Sequence, residues 1–142
     1  MLERIEKIVR GELPQAPVAN LIGMRVTQIR KGEAVVEFEA TERHANPMGT
    51  LHGGILCDVA DAAMGLAFAA TLEKGETFTT LEMKINFLKP VWKAKLRGVG
   101  RVVKRGRTVG LTERDITDEG ESLVARASST CMTLRGEMAE GR

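Results

Sequence analysis

One long apolar segment lies in the middle of the chain and restricts the folds that the chain can adopt. It covers residues 55–74, ILCDVADAAMGLAFAATLEK, and follows a loop-like segment, residues 41–54, that ends in His-Gly-Gly. Its length predicts a helix of about 30 Å that ends near residues 73–75. Two aspartates, Asp58 and Asp61, interrupt it. Because a buried and unpaired carboxylate is costly, these side chains must face a surface or take part in chemistry.

Alternating apolar and polar residues before and after this helix predict β-strands. Residues 33–40, EAVVEFEA, place every second side chain on an apolar face, and the Lys-Gly pair before them is typical of a hairpin turn. Residues 78–90 alternate in the same way, with Leu81 on the apolar face and Thr80 on the opposite face.

The order of the elements predicts the fold class. A helical segment of about residues 1–23 precedes two strands, the long helix and four further strands, with turns at residues 105–106 and 118–120. Strands on both sides of a single central helix predict an α+β fold in which an antiparallel sheet wraps that helix. A chain of 142 residues fits a single domain over residues 1–142.

Charge and cysteine spacing argue against several classes of function. Lys and Arg number 21 against 19 Asp and Glu, a net charge of +2 that gives no general case for nucleic-acid binding. Cys57 and Cys131 form no C-x-x-C pair and no cluster with zinc spacing, so we expect neither a metal site nor a disulfide. The N-terminus is charged throughout, and no stretch of about 18 uncharged apolar residues exists, so we expect a cytoplasmic protein that does not enter the membrane.

Two glycines mark the start of the long helix. Backbone N–H groups at a helix N-terminus lack helical acceptors, and the helix dipole is positive there. Without a Cβ, Gly53 and Gly54 would let a ligand carbonyl approach these groups, as in an oxyanion hole built from main chain. The alternative is that the two glycines only allow a sharp turn into the helix.

The two aspartates differ in their expected position along the helix. Asp58 is expected in the first turn, where a carboxylate stabilises the helix dipole. Asp61 lies too far along the helix for that role, and in a central helix it must reach an interface or a cleft. There it is a candidate general base or nucleophile.

Other polar residues allow a functional and a structural interpretation. His52 precedes the glycines and could act in acid–base chemistry or fix the loop by hydrogen bonding. The amide of Asn46 could donate to a substrate oxygen or hold the loop. Lys104, Arg105 and Arg107 surround a hairpin turn and could bind phosphates or form a solvated surface.

The loop, the helix and the strands around it together resemble the hotdog-fold acyl-CoA thioesterases. The resemblance is closest to the branch of the phenylacetate-degradation thioesterases and the mammalian thioesterase superfamily members, and it covers about residues 15–134. Its most specific part is N-x-x-G-x-x-H-G-G followed by an acidic residue seven positions after the second glycine. The sequence carries this motif as Asn46, Gly49, His52, Gly53, Gly54 and Asp61.

The resemblance implies a fold, an assembly and a set of site residues. The implied fold is a central helix wrapped by a curved antiparallel sheet. Two protomers join their sheets edge to edge, with two active sites across the homodimer interface, and a homotetramer is expected. Asp61 corresponds to the catalytic acid, Gly53 to the helix-start residue whose N–H polarises the thioester carbonyl, and Asn46 to the loop asparagine. Thr80 corresponds to the hydroxyl residue that positions water, with Thr79 as the alternative.

The implied activity is hydrolysis of an acyl-CoA thioester to a free acid and coenzyme A. Asp61 activates water or attacks the carbonyl, two routes that the sequence leaves open. His52, Gly54 and the three basic residues of the hairpin are the expected substrate contacts. Coenzyme A is part of the substrate, so no cofactor is expected.

Two other activities and the acyl group are left open by the sequence. One alternative is a hotdog enoyl-thioester hydratase or dehydratase, which needs a histidine and an acid as a pair, and the other is a non-catalytic acyl-CoA-binding sensor. Four residues are candidates to line the acyl pocket without choosing between aromatic and aliphatic acyl groups: Met64, Phe68, Met83 and Phe87.

Overall fold

The computed structural model describes residues 1–140, which form three α-helices and six β-strands. The helices and strands are α1 (Leu2–Val9), α2 (Pro17–Ile22), β1 (Met24–Arg30), β2 (Glu33–Ala40), α3 (Gly53–Ala69), β3 (Thr77–Phe87), β4 (Ala94–Arg105), β5 (Val109–Asp118) and β6 (Leu123–Leu134). Two short 3₁₀ turns cover Glu42–His44 and Gly136–Ala139. Within the described part of the chain, none of the helices has the length and apolar character that crossing a membrane requires.

All six strands form one antiparallel sheet in the order β1-β2-β4-β5-β6-β3. β1 and β3 are therefore the two edge strands. The predicted hairpin between β1 and β2 is confirmed, and its Gly32 has φ 78°, a left-handed conformation that glycine adopts without steric cost. The prediction of an α+β fold with two strands before the long helix and four after it is confirmed.

Helix α3 packs directly on the sheet and forms the core of the molecule. Val59, Ala60, Ala63 and Met64 are fully buried. A Cβ at Gly100 of β4 would lie 2.3 Å from the Ala63 carbonyl oxygen, so a glycine is required for this close approach of sheet and helix. The core alanines and the sheet glycine together let the strands curve closely around the helix.

The long helix ends earlier than the sequence predicts. α3 stops at Ala69 instead of near residues 73–75, which gives a helix of about 25 Å. The Thr71 hydroxyl and backbone N–H both donate to the Phe68 carbonyl oxygen, at 2.7 and 2.9 Å. These bonds close the last turn, and the apolar residues beyond it leave the helix while staying buried.

Strand β3 contains a β-bulge that the sequence pattern does not reveal. The pairing of β3 with β6 shifts register between Thr80 and Glu82. An extra residue in one strand reverses the alternation beyond it. Thr80 therefore faces α3, on the same side as Met83 and Ile85, while Leu81 is 52% exposed. The sequence pattern predicts that Leu81 and its apolar neighbours share one face and that Thr80 lies on the opposite face. The bulge makes this prediction wrong, because Thr80 shares the face of those neighbours and Leu81 does not.

The cation of Arg114 is buried in the sheet next to α3. The side chain of Arg114 on β5 is 2% exposed, and its three nitrogens have no hydrogen-bond partner within residues 1–140. Its guanidinium occupies the space over Gly98, where a Cβ would lie 0.9 Å from Nη2. Burial lowers the pKa of Arg114 to about 9.

Candidate active site

Asp61 and Thr80, to which the resemblance assigns the roles of catalytic acid and hydroxyl residue, form a hydrogen-bonded pair. The Thr80 hydroxyl donates to Asp61 Oδ1 at 3.1 Å, and the β-bulge in β3 is what turns Thr80 toward α3. Asp61 is exposed in the single chain although its helix is central. Asp61 therefore reaches the surface of the chain, and its place at a subunit interface stays a prediction.

An apolar pocket of about 340 Å³ opens beside Asp61. It lies between the N-terminal helices, strand β1 and one side of α3. Its wall is formed by Ile8, Gln15, Ala16, Val18, Ala19, Met24, Val26, Val36, Asp58, Asp61, Ala62, Gly65, Leu66, Ala69 and Phe78. The carboxylate of Asp61 thus stands where a mostly apolar cavity meets solvent.

The wall of this pocket differs from the expected one. Met64 and Phe68 are fully buried in the core and do not line it. Met83 packs against the core, and Phe87 at the end of β3 is 54% exposed. Six of the residues that do line the pocket come from α3 and five from the N-terminal segment, whose contact with α3 is a tertiary feature.

Asp58 does not occupy the position that the sequence predicts. α3 begins at Gly53, so Asp58 is its sixth residue, and its first turn contains no acidic side chain. The explanation of Asp58 as a helix-start charge is therefore wrong, because the helix dipole acts mainly within the first turn. The residue lies instead on the pocket wall with Asp61.

The two glycines at the start of α3 differ in whether their backbone N–H has an acceptor. His52 is the N-cap, and its Nδ1 accepts the Gly54 N–H at 2.9 Å. The Gly53 N–H has no acceptor within residues 1–140. Of the two glycines, Gly53 is therefore the one whose N–H is available to a ligand oxygen. His52 and Gly54 form the helix cap, and their contact with substrate stays a prediction.

A side chain at position 53 would crowd the ring of Phe87. A Cβ on Gly53 would lie 3.0 Å from Cζ of Phe87 on β3. The aromatic ring therefore covers the helix start on the side of the edge strand, and a ligand that reaches the Gly53 N–H passes beside it.

Asn46 holds the loop that leads to the helix. Its Oδ1 accepts the backbone N–H groups of Met48 and Thr50 at 2.9 and 3.2 Å. Its Nδ2 donates to the Thr50 hydroxyl at 2.8 Å. Of the two interpretations of Asn46, the loop-holding one has direct contacts in the single chain. One amide proton has no such contact, and its donation to a substrate oxygen stays a prediction.

Only some of the basic side chains in the hairpin between β4 and β5 are available to a ligand. Arg105 donates to the Thr71 hydroxyl at 3.2 Å and to Glu76 Oε2 at 3.3 Å, and its Cζ lies 4.9 Å from the centre of the Phe68 ring. Its guanidinium also donates to the Gly106 carbonyl oxygen. Arg105 is thus committed to structural contacts.

Two other basic residues of the hairpin, Lys104 and Arg107, have exposed side chains. Arg135 on the neighbouring chain segment was not predicted from the sequence. It donates to Glu76 Oε1 at 2.5 Å and to the Arg107 carbonyl oxygen at 2.7 Å. Of the three basic residues of the hairpin, Lys104 and Arg107 are therefore the ones that remain available to a ligand phosphate.

Comparison with known proteins identifies the family. The sequence model described as the thioesterase superfamily matches residues 48–125, which include α3, strands β3, β4 and β5, the start of β6 and all of the loop motif except Asn46. The chain belongs to the thioesterase superfamily. It is therefore an enzyme of the thioesterase class, and its sheet wrapped on α3 is the hotdog fold.

Relatives in the thioesterase superfamily cover most of the chain. The 1,4-dihydroxy-2-naphthoyl-CoA hydrolase of Listeria monocytogenes is 31% identical over 77% of this chain and 89% of its own length. Human acyl-coenzyme A thioesterase 13 is 25% identical over 92% of this chain and 94% of its own. The crystal structure of a phenylacetic acid degradation-related protein from Ralstonia eutropha has a TM-score of 0.81 and 33% identity, and it covers 89% of this chain and 97% of that chain. The resemblance stated from the sequence is confirmed.

Proposed function

We propose that the chain hydrolyses acyl-CoA thioesters to a free acid and coenzyme A. The observation that carries the proposal is the Asp61–Thr80 pair at the edge of an apolar pocket of about 340 Å³. Such a pocket suits the hydrocarbon part of an acyl group, and a carboxylate at its edge suits attack on the thioester carbonyl. The names of the Listeria and human relatives, a CoA-thioester hydrolase and an acyl-CoA thioesterase, support the substrate class.

Asp61 supplies the base or the nucleophile of the reaction. As a base it removes a proton from water while the water oxygen bonds to the carbonyl carbon. The C–S bond then breaks, and coenzyme A leaves as a thiolate that takes up a proton. As a nucleophile, Asp61 first forms an anhydride and releases the same thiolate, and water then hydrolyses the anhydride. In both routes Thr80 orients the carboxylate through its hydroxyl.

The negative charge that develops on the carbonyl oxygen needs a donor close to Asp61. The candidate donor is the free N–H of Gly53, because a preorganised backbone donor at a helix N-terminus stabilises such an oxyanion. In one chain, however, Gly53 and Asp61 are eight residues apart on α3. This separation is about 12 Å along the helix axis, too far for both groups to contact one carbonyl.

A homodimer resolves this separation. We infer that Asp61 acts with Gly53 of the partner subunit, so that a twofold axis produces two equal sites. The edge strand β3 supports this arrangement, because it leaves one row of backbone groups free and carries the exposed apolar side chains of Leu81 and Phe87. The association of two dimers into a homotetramer stays a prediction of the resemblance.

The coenzyme A portion is assigned to the basic end of the sheet. Lys104 and Arg107 are the proposed phosphate partners, since a guanidinium and an ammonium both bind phosphate oxygens. The proposed mechanism uses only side chains and backbone of the protein, with coenzyme A as a part of the substrate.

A thiol-release assay with a panel of aryl- and alkyl-CoA thioesters tests the proposed function. Wild-type protein releases coenzyme A, and Asp61→Asn lowers kcat by roughly 10²- to 10⁴-fold, the effect of losing a general base or nucleophile. Asp115→Asn is a control, because Asp115 pairs with Arg126 on the sheet away from the pocket. A wild-type protein without thiol release, or equal activity of wild type and Asp61→Asn, would contradict the proposal.

A further inference from the structure

The wall of the pocket beside Asp61 contains only a few polar side chains. Twelve of its fifteen lining residues are apolar or glycine, and the three polar ones are Gln15, Asp58 and Asp61. A small number of polar groups in an otherwise apolar pocket fixes the orientation and the identity of a ligand. Asp61 is already assigned to the reaction, so Gln15 and Asp58 are the groups that remain for recognition of the acyl chain.

Gln15 has one of its two acceptor positions occupied. Its Oε1 accepts the backbone N–H of Val26 at 3.1 Å, which ties the segment before α2 to strand β1. The hydrogen-bonding capacity that Gln15 retains toward the pocket is mainly that of its amide donor. The one lone pair that Oε1 retains belongs to a neutral acceptor, which is weaker than a carboxylate.

Asp58 offers a carboxylate acceptor, which Gln15 does not. It lies three residues before Asp61 on α3, and its side chain is exposed. No Lys, Arg or His of residues 1–140 forms a salt bridge with it. The helix dipole does not account for it either, because the first turn of α3 ends before this position. The carboxylate is thus available to a ligand in the pocket.

The spacing of the two aspartates sets where the recognised group must lie. Side chains three positions apart on a helix have Cβ atoms about 5–6 Å from each other. When Asp61 is directed at the thioester carbonyl, Asp58 is directed at a part of the acyl group only a few bonds away. A donor at that place meets an ionised acceptor, whereas a carboxylate there meets a like charge.

We infer that Asp58 determines acyl-group specificity, favouring acyl groups that carry a hydroxyl near the thioester and disfavouring acyl groups that end in a carboxylate. The inference rests on the proposed function, since it concerns the same pocket. The Asp58 carboxylate accepts the hydrogen bond of the hydroxyl, and its negative charge repels the carboxylate. Asp58 is a specificity residue of the pocket wall, distinct from Asp61, which touches the reacting atoms.

Matched pairs of CoA thioesters test this inference through ratios of kcat/KM. The hydroxyl pairs are 3-hydroxybutanoyl-CoA with butanoyl-CoA and 3-hydroxybenzoyl-CoA with benzoyl-CoA. The charge pair is glutaryl-CoA with pentanoyl-CoA. Each pair is assayed with wild type, with Asp58→Ala and with Asp58→Asn, which keeps the shape and an acceptor oxygen but removes the charge. Glu119→Ala, in the exposed turn between β5 and β6, controls for the loss of one negative charge.

The expected result is a substrate preference, measured as the ratio of kcat/KM values, that changes only when Asp58 is replaced. In wild type, at least one hydroxyl pair favours the hydroxylated thioester by about tenfold, and glutaryl-CoA is disfavoured against pentanoyl-CoA. In Asp58→Ala both preferences fall toward one, and in Asp58→Asn the discrimination against glutaryl-CoA falls while part of the hydroxyl preference remains. Glu119→Ala keeps the wild-type ratios.

Two negative results have different meanings. If wild type and Asp61→Asn differ in thiol release but the ratios are the same in wild type and Asp58→Ala, the role of Asp58 is wrong and the proposed function stands. If wild type releases no thiol from any of the thioesters, the proposed function is contradicted, and the role of Asp58 in it is contradicted as well. A circular dichroism spectrum and a melting temperature like those of wild type show that each variant is folded.

Discussion

The Thr80 hydroxyl lies 3.1 Å from Asp61 Oδ1 and donates to it across the interface of β3 and α3. This hydrogen bond leaves the second carboxylate oxygen, Oδ2, free to act on water or on the thioester. It exists because the β-bulge next to Thr80 turns this residue toward the helix. Two consecutive elements of the chain, α3 and β3, thus fix the orientation of one carboxylate.

Thr80→Val should therefore lower kcat by about tenfold, because it keeps the shape of the side chain and removes the donor. Thr80→Ser should retain most of the activity, since it keeps the hydroxyl. Thr79→Val is the matched control on the neighbouring position, and it should leave kcat near the wild-type value. Equal kcat values for wild type and Thr80→Val would show that the hydrogen bond has no part in the reaction.

A backbone donor can be tested at Gly53 because of its place in the helix. Gly53 is the first residue of α3, where proline is well tolerated, and His52 before it has the extended conformation that precedes proline (φ -65°, ψ 129°). Gly53→Pro removes the N–H and should lower kcat by roughly 10²- to 10³-fold, as the loss of an oxyanion donor does.

Gly53→Ala is the control for this change, because it keeps the N–H but places a Cβ against Phe87, as proline does. Steady-state kinetics of both variants separate the two effects. If Gly53→Ala loses as much kcat as Gly53→Pro, the contact with Phe87 rather than the N–H explains the loss.

The basic residues of the hairpin should differ in role: Arg105 should stabilise the fold, and Lys104 and Arg107 should bind the substrate. Arg105→Met should lower the melting temperature, because it leaves the partly buried Glu76 with one cation fewer. Lys104→Met together with Arg107→Met should raise KM for CoA thioesters and weaken its dependence on salt, with a smaller effect on kcat. An unchanged KM would show that these two cations form only a solvated turn.

How much of the molecule follows from its sequence depends on whether a feature is local. The alternation of residues 33–40 and the apolar run of α3 have periods that a short window reveals, so the order of the elements was predictable. The register of β3 against β6 is a long-range property, and the sequence therefore placed Thr80 on the wrong face. The motif still led to Thr80 and Asp61, because a resemblance carries positions without needing the register.

The pocket and the ion pairs could not be predicted from the sequence, because they also depend on contacts between distant parts of the chain. Asp58 looked like a helix-start charge because the N-cap was not fixed, and its place beside Gln15 requires the packing of the N-terminal segment on α3. Arg105 looked free because its partner Glu76 is 29 residues away along the chain. The available signal for Asp58 was its spacing of three residues from Asp61, which puts both on one side of a helix.

Arg114 should lower the stability of the protein at neutral pH. A buried guanidinium without an acceptor loses hydration without compensation, so its replacement by an apolar residue of similar length should be neutral or stabilising. Urea unfolding of Arg114→Met at pH 7 should therefore give a free energy of unfolding at least equal to that of wild type. Arg97→Met, on an exposed position of β4, is the control.

The pH dependence of this difference has a defined sign. The pKa of Arg114 is lowered to about 9 in the folded protein, well below the ordinary value of a guanidinium in the unfolded chain. Between these values the unfolded chain binds more protons than the folded one, so the cost of Arg114 decreases as the pH rises through about 9. The advantage of Arg114→Met should therefore be smaller at pH 10 than at pH 7. A marked loss of stability in Arg114→Met at pH 7 would show that the guanidinium has acceptors.

The central claim is that each active site combines Asp61 of one protomer with Gly53 of the other, and mixed dimers test it most directly. Asp61→Asn and Gly53→Pro are unfolded together in equal amounts, refolded and assayed for thiol release, with different tags to measure the mixed dimers. A mixed dimer has one site with both changes and one site with neither. Random pairing makes half of the dimers mixed, so about a quarter of the wild-type activity should return, although each variant refolded alone is almost inactive. Activity no higher than that of the separate variants, in a sample that contains the mixed dimers, would contradict the shared site.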